Sequence, residues 1–169
     1  MQLPITRPTR HNGGMLNSAR TPEYDPSLDA VAARVDNVLR ALGVDPGLAR
    51  LPGTDAYNIV WQFQRGSAFI EVQLVNEGGR RYFQVCAPIM HLPSDNLVRL
   101  YRRLLEYNMQ LSGAAFAVYR DVVYVVNERM LEGLDDAEAN VMISNVAGFA
   151  DTLDDKLVRE FGGRLYGQV

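Results

Sequence analysis

The chain has 169 residues, of which 47% are hydrophobic and 22% are charged, and its net charge at pH 7 is -3. These values are typical of one globular domain with a real core, and the length is too short for two domains of ordinary size. A weakly acidic chain lacks the electrostatic footprint that nucleic acid or anionic lipid requires, so we expect neither nucleic-acid nor membrane binding.

The first 26 residues contain four prolines and no periodic apolar pattern, which predicts an N-terminal leader at residues 1–26. Two interpretations of this leader stay open, a disordered tail and an arm that lies on a neighbouring surface. The arm would be anchored by Leu3, Ile5, Met15 and Leu16. No apolar run near Met1 is long enough for a signal sequence or a spanning helix, so a cytoplasmic location is the default expectation.

Residues 27–169 read as a single domain that opens with a helix and three strands. Ser27 is a favourable N-cap, and apolar residues repeat at helical spacing until Gly43 supplies a stop. Alternation from Tyr57 onward and two short turns then predict a three-stranded antiparallel meander. One face of this meander carries the large apolar side chains, and the other carries mainly Gln and Glu. Helices should therefore cover only the first face.

The middle helix, predicted at residues 94–111, has too much apolar surface for one core. At ~100° per residue its apolar side chains cover an arc of roughly 200°, whereas one buried stripe needs little more than ~100°. These side chains are Leu97, Val98, Leu100, Tyr101, Leu104, Leu105, Tyr107, Met109 and Leu111. A second side of the helix must be covered, either by another element of the chain or by a partner.

The remaining elements are a hairpin and a long final helix. Two apolar runs flank the dipeptide Arg120-Asp121, which predicts a two-residue turn without the usual glycine. Asp135 and Glu138 form a capping box, and the last helix should end near Gly162. The predicted fold class is α+β, in the order α-β-β-β-α-β-β-α, with a five-stranded antiparallel sheet and helices mainly on one face.

Residues that could carry chemistry are few. The tightest cluster is Cys86, His91 and Asp95, but the prolines around it already describe a strand-to-helix connection. One cysteine excludes an internal disulfide, and two histidines with one cysteine cannot supply a tetrahedral zinc set without carboxylates. We therefore expect no catalytic, cofactor-binding or metal-binding residues. Asp154 and Asp155 are interpreted as a solvated helix face.

Four motifs, APIMHLP before the middle helix, YRRLLEYN within it, GAAFAV after it and the closing DTLDDKLVREFGG, resemble the YbjN-like family. That family is similar in fold to the class I type III secretion chaperones, and the resemblance covers residues 27–163. It implies a small acidic dimer that holds an extended segment of another protein, without cofactor or turnover. Two alternatives stay open: a dedicated type III secretion chaperone, and a small-molecule-binding or Cys-dependent enzyme domain.

We therefore predict a non-catalytic, homodimeric module that binds a protein or peptide client. One side of the middle helix would form the two-fold interface, with Leu97, Val98, Tyr101, Leu105 and Met109 as its candidate residues. A client segment would add a strand to an exposed sheet edge, although the sequence leaves open which edge. Side-chain contacts with the client are expected around Trp61, Phe69 and Tyr82.

Overall fold

A computed structural model describes residues 26–52, 58–77 and 79–168 of the chain. Except for Pro26, the predicted leader lies outside these residues, and so does Tyr57, where the first strand was expected to begin. The first helix begins at Pro26, so Ser27 stands inside the helix and the prediction that it is the N-cap is wrong.

The described residues form helices and strands in the predicted order, with two short additions. The elements are α1 (Pro26–Ala41), α2 (Pro46–Ala49), β1 (Asn58–Arg65), β2 (Ala68–Glu77), β3 (Arg80–His91), α3 (Leu97–Asn108), β4 (Ala115–Tyr119), β5 (Val122–Met130), α4 (Asp136–Phe161) and β6 (Arg164–Leu165). The single-turn helix α2 and the two-residue strand β6 were not predicted, because neither is long enough to show a period.

The strands form one antiparallel sheet in the order β1-β2-β3-β5-β4, and β6 pairs with the end of β3. The meander and the hairpin are therefore both confirmed, and β1 and β4 are the two edges. The hairpin turn has the predicted two residues, and Arg120 adopts a left-handed φ of 54°. This conformation costs a residue with a side chain roughly 1–2 kcal/mol.

The core lies between one face of the sheet and the helices α1 and α4, as the alternation predicted. Large side chains of alternate strand positions point to this helix-covered face and are almost completely buried, among them Trp61, Ile70, Val72, Leu74, Phe83, Val85 and Val125. The opposite side, which we call the polar sheet face, carries Gln62, Glu71, Gln73, Gln84, Cys86 and Tyr124 at the intervening positions. The α+β class with helices mainly on one face is confirmed.

Helix α4 has the predicted residues at both of its ends. Asp135 is the N-cap, and its side chain accepts a hydrogen bond of 2.7 Å from the backbone N–H of Glu138. Gly162 ends the helix with a φ of 83°. Gly163 follows with a φ of 90°, and a Cβ atom there would lie 2.5 Å from the carbonyl oxygen of His91. A glycine is therefore required where α4 turns back toward β3.

The turn between β1 and β2 is fixed to α4 by two aspartates. Asp151 Oδ1 accepts hydrogen bonds from the backbone N–H and the hydroxyl of Ser67, at 3.0 and 2.9 Å. Asp154 Oδ2 lies 3.1 Å from the same hydroxyl, and Asp154 is only 6% exposed. The interpretation of Asp154 as solvated surface is therefore wrong, because the turn folds back over it.

These contacts shift the pKa values of the Asp151 and Asp154 carboxyl groups in opposite directions. Hydrogen bonds from the backbone and side chain of Ser67 lower the pKa of Asp151, whereas burial raises the pKa of Asp154. A lowered pKa contributes stability that is lost as the pH falls through the folded-state value. A raised pKa has the opposite sign: it favours folding below the unfolded-state value, and this contribution fades as the pH rises through the folded-state value.

We expect the Asp154→Asn variant to melt at a higher temperature than the natural chain at pH 7, because it removes the cost of a desolvated charge. The difference should shrink as the pH is lowered toward ~4, the ordinary range of an aspartate. Thermal unfolding followed by circular dichroism between pH 4 and 8 measures both effects. Asp155→Asn, at the exposed neighbouring position, is the matched control and should show neither.

Candidate functional site

Helix α3 uses only one of its two apolar sides for the core. Leu100 and Leu104 are buried, and Tyr107 and Leu111 pack against the core from partly exposed positions. The ring of Tyr107 lies 5.8 Å from that of Phe116 on β4. An amphipathic helix ordinarily packs one apolar stripe against the core, and this side of α3 provides that stripe.

The second apolar side of α3 is open among the residues that the structure describes. Val98 is 82% exposed, Tyr101 38%, Leu105 66% and Met109 88%. Because they follow one another at spacings of three and four residues, they form one continuous row, which we call the α3 apolar row. Leu97 is half-buried and flanks it. A contiguous apolar row of this kind marks an interaction surface, whereas single exposed apolar residues are ordinary.

A charged pair borders the α3 apolar row. Arg102 Nε lies 2.9 Å from Glu106 Oε1, and both residues line the same shallow depression as the apolar row. Exposed ion pairs at i and i+4 contribute little to stability. Arg102 and Glu106 lie beside the apolar side chains, as polar residues do at the rim of an interface with an apolar core.

The helix is shorter than residues 94–111 at both ends, for identifiable reasons. Asn96 has a left-handed φ of 64°, so the helix begins only at Leu97. At the other end, the amide of Asn108 turns to the neighbouring strand. Its Oδ1 accepts a hydrogen bond of 2.6 Å from the backbone N–H of Phe116, and its Nδ2 donates one of 3.3 Å to the carbonyl oxygen of Phe116.

The bonds from Asn108 also change the β4 edge of the sheet. The N–H and C=O groups of Phe116 point away from β5, where a new strand would pair, and the Asn108 amide occupies both. Backbone groups alternate in direction along a strand, so the next outward-facing groups on β4 belong to Val118. An incoming strand would therefore meet a side chain in the middle of this short edge.

Within the described part of the chain, the β1 edge has a backbone partner at one end and none at the other. The carbonyl oxygen of Val60 accepts a hydrogen bond of 2.9 Å from the backbone N–H of Leu51, so it points away from β2. Because backbone groups alternate in direction along a strand, the N–H and C=O groups of Gln62 and Gln64 also point away from β2. No backbone hydrogen bond from another described element reaches these two residues, so a strand could pair with β1 here.

Trp61 does not belong to this surface, and the prediction that it contacts a partner is wrong. It is 0% exposed, and its indole N–H donates a hydrogen bond of 2.8 Å to Asp36 Oδ1 on α1. The guanidinium carbon of Arg50 lies 5.7 Å from the centre of the ring. Trp61 occupies a helix-covered position of β1, so it is a core residue.

Phe69 and Tyr82, the other two predicted partner-binding residues, lie on the polar sheet face and are half-buried. The ring of Phe69 is 6.4 Å from that of Tyr166, which stacks on His91 at 5.7 Å. Phe69 is therefore already in an aromatic contact at the β6 end of the sheet. Their role in partner binding stays a prediction.

A buried hydrogen-bond network occupies the centre of the polar sheet face. Glu71 is 3% exposed, and its carboxylate accepts hydrogen bonds from the amides of Gln62 and Gln73. The sulfur of Cys86 lies 3.8 Å from Glu71 Oε1. The sequence showed these polar residues on one face but not that their side chains converge on one carboxylate.

The groups considered for catalysis are not brought together. Burial raises the pKa of the Cys86 thiol well above its ordinary value, which opposes formation of the reactive thiolate. His91 Nδ1 contacts Asp121 Oδ2 at 3.1 Å, and it stands five residues from Cys86, about 16 Å along the strand. Within residues 26–52, 58–77 and 79–168, no group of three metal-ligating side chains occurs.

The described helices include none with the length and apolarity of a membrane span. Among the described residues, the structure offers an exposed apolar helix face and a strand edge without a backbone partner, which are the kinds of surface that protein contacts use. The fold is thus an α+β domain whose described features fit a binding protein.

Comparison with known proteins identifies the family. The sequence model of TY-Chap1, described as "T3SS (YopN, CesT) and YbjN peptide-binding chaperone 1", matches residues 29–168, so the chain belongs to this family. The resemblance to the YbjN-like family is thereby confirmed. Membership in a family of peptide-binding chaperones supports a binding role and not a catalytic one. A comparison with curated proteins found no match.

Two solved structures share the fold. One is the "Crystal Structure of the ExsC-ExsE Complex", with a TM-score of 0.54 and 14% identity over 76% of this chain and 94% of the other. The second is the "Structure of the HopA1-SchA Chaperone-Effector Complex", with a TM-score of 0.51 and 11% identity over 83% of this chain and 98% of the other. At these identities the likeness concerns the fold alone, and it confirms the type III secretion chaperone-like architecture.

Proposed function

We propose that this chain acts as a homodimeric chaperone or regulatory protein that holds an extended segment of a client protein without chemical turnover. The family supports peptide binding in general, and the chain's own surfaces support the two finer parts of the proposal. The α3 apolar row is the observation that carries the homodimer. The open end of the β1 edge is the place that best fits a client strand.

The dimer would form by packing the α3 apolar row of one copy against the same row of another. A two-fold interface is isologous, so a continuous row along one helix is complementary to itself. Full burial of an apolar side chain of this size contributes about 1.5–3 kcal/mol, which has to exceed the cost of association. Arg102 and Glu106 would lie at the rim, where their ion pair stays hydrated.

The client segment would extend the sheet at β1, beside Gln62 and Gln64. Strand addition draws its affinity from backbone hydrogen bonds, so it accepts clients of different sequence. The exposed side chain of Gln64 does not obstruct this edge. At β4, by contrast, the Asn108 amide already holds the backbone groups of Phe116.

The Cys-dependent enzyme is not proposed, because Cys86 is buried and far from His91.

Substituting proline for Gln64 tests the client-binding edge. Proline lacks the outward N–H that a client strand needs, yet it is tolerated on edge strands whose N–H faces solvent. We expect the Gln64→Pro variant to stay folded and to lose at least tenfold in affinity for a client captured from the native host with the natural chain. Val118→Pro makes the same change on the β4 edge and should leave the affinity nearly unchanged. Titration calorimetry with the purified client measures both variants, and equal binding by Gln64→Pro would exclude the β1 edge.

A further inference from the structure

The α3 apolar row has two flanks of different chemistry. At ~100° per residue, Arg102 and Glu106 both lie on one flank of the row, and the ring of Tyr101 lies on the other. The side chain of Arg102 is 82% exposed, and a guanidinium carries five N–H donors, so it can bind a second carboxylate besides that of Glu106. These charges therefore lie where they can determine how a second copy of the chain approaches the row.

The apolar row and the charged pair are centred at nearly the same point of α3. The row runs from Val98 to Met109, so its centre lies half a residue before Leu104. The midpoint of Arg102 and Glu106 is Leu104 itself. Along the helix axis, the two centres differ by less than about 1 Å. A two-fold axis at this point would bring Val98 opposite Met109 of a second copy, and Arg102 opposite Glu106 of that copy.

We propose that two copies of the chain pack their α3 helices antiparallel about this point, with Arg102 of each copy paired to Glu106 of the other. This inference rests on the proposed homodimer and adds its orientation and its polar contacts. In the antiparallel arrangement the two-fold axis is perpendicular to both helices, so the charged flanks of the two copies lie on the same side of the interface. Helix axes about 8–10 Å apart then bring the guanidinium and the carboxylate within reach of each other.

A parallel arrangement of the two helices would separate the same charges. Its two-fold axis runs along the helices, so the charged flanks of the two copies lie on opposite sides of the interface. Arg102 would then stand beside Tyr101 of the second copy, and Glu106 of that copy would be out of reach. Opposite charges beside an apolar contact set the orientation of paired helices. The antiparallel arrangement is favoured because it forms two ion pairs between copies, whereas the parallel one forms neither.

Reversal of single charges on α3 tests this pairing. In the Arg102→Glu variant each contact between copies would join two carboxylates, and in Glu106→Arg it would join two guanidinium groups. We expect each variant to raise the dissociation constant of the dimer by roughly fivefold or more at low ionic strength, where exposed charges are least screened. Analytical ultracentrifugation measures this constant. Arg159→Glu, the same reversal at an exposed position of α4, is the matched control and should leave the constant unchanged.

An equimolar mixture of Arg102→Glu and Glu106→Arg should dimerise with the natural dissociation constant, because each contact between copies then joins opposite charges. Within each chain of this mixture the charges at positions 102 and 106 still repel, so recovery can arise only between copies. Natural dissociation constants for both single variants would overturn the antiparallel pairing and leave the homodimer in place. Weakened variants that do not recover on mixing would overturn the pairing equally. A natural chain that sediments only as a monomer would overturn the homodimer and the pairing together.

Cross-linking through introduced cysteines measures the orientation of the helices. Val98→Cys and Met109→Cys chains are treated with a short bismaleimide reagent, and Cys86, at 2% exposure, reacts slowly. In the antiparallel dimer Val98 faces Met109 of the other copy, whereas the two Val98 positions lie about 16 Å apart along the axis. We expect a cross-linked dimer from the mixture of the two variants and from neither variant alone. A cross-linked dimer from Val98→Cys alone, or none from the mixture, would overturn the proposal.

Discussion

The Leu105→Asp variant should be monomeric at concentrations where the natural chain is a dimer. Leu105 stands in the middle of the α3 apolar row and is 66% exposed in the single chain. In the proposed dimer, an aspartate here would be buried against apolar side chains without a partner. That costs several kcal/mol, or at least a hundredfold in the dissociation constant. Analytical ultracentrifugation over a range of concentrations measures the effect.

The same substitution should barely change the folded monomer, since most of the Leu105 side chain is outside the core. Val141, at 53% exposure on α4, provides the matched control. Val141→Asp introduces the same charge at an exposed apolar position of another helix and should leave the dimer intact. If Leu105→Asp sediments as the same dimer, the α3 apolar row is not the interface.

The Trp61→Ala variant should lose stability and not partner contacts. Deleting a buried aromatic side chain costs about 3–5 kcal/mol, because it removes apolar burial and leaves a cavity. The change also leaves Asp36 without the indole donor. For a chain of this length we expect a fall in Tm of about 10 °C or more. Urea unfolding followed by far-UV circular dichroism gives the free energy of unfolding.

Two variants show whether the loss comes from the core. Trp61→Phe keeps an aromatic ring but removes the bond to Asp36, so its cost should be intermediate. Phe69→Ala, on the polar sheet face, removes a half-buried ring and should destabilise the fold by less than half as much as Trp61→Ala. A Trp61→Ala variant with the natural midpoint of unfolding but weakened client binding would return Trp61 to the partner surface.

The error about Trp61 shows what local patterns omit. The alternation of Ile59, Trp61 and Phe63 already placed these residues on one face of a strand. Assigning Trp61 to a binding surface gave too much weight to its being aromatic. Only the pairing of β1 with β2, and the position of Asp36 on a helix 25 residues away, determine that this ring is enclosed.

Asp154 and Asn108 show a similar limit for polar residues. The helical pattern placed Asp154 on a solvated face, and it did not show that Ser67, 87 residues earlier in the chain, folds over it. Asn108 lies in α3 as predicted, but the helical pattern did not show that its side-chain amide bonds to the backbone of Phe116 on β4. Both contacts depend on the order of the strands, which periodicity does not encode.

The sequence by itself determined the order of the main elements and the two-sided character of α3, because these depend on spacing and composition. The tertiary structure alone decided which apolar residues of α3 reach the core, which backbone groups of the sheet edges have a partner among the described residues, and how the polar side chains converge on Glu71. These properties depend on contacts between residues far apart in the chain. A linear pattern gives the direction in which a side chain points along its own element, but not what it meets there.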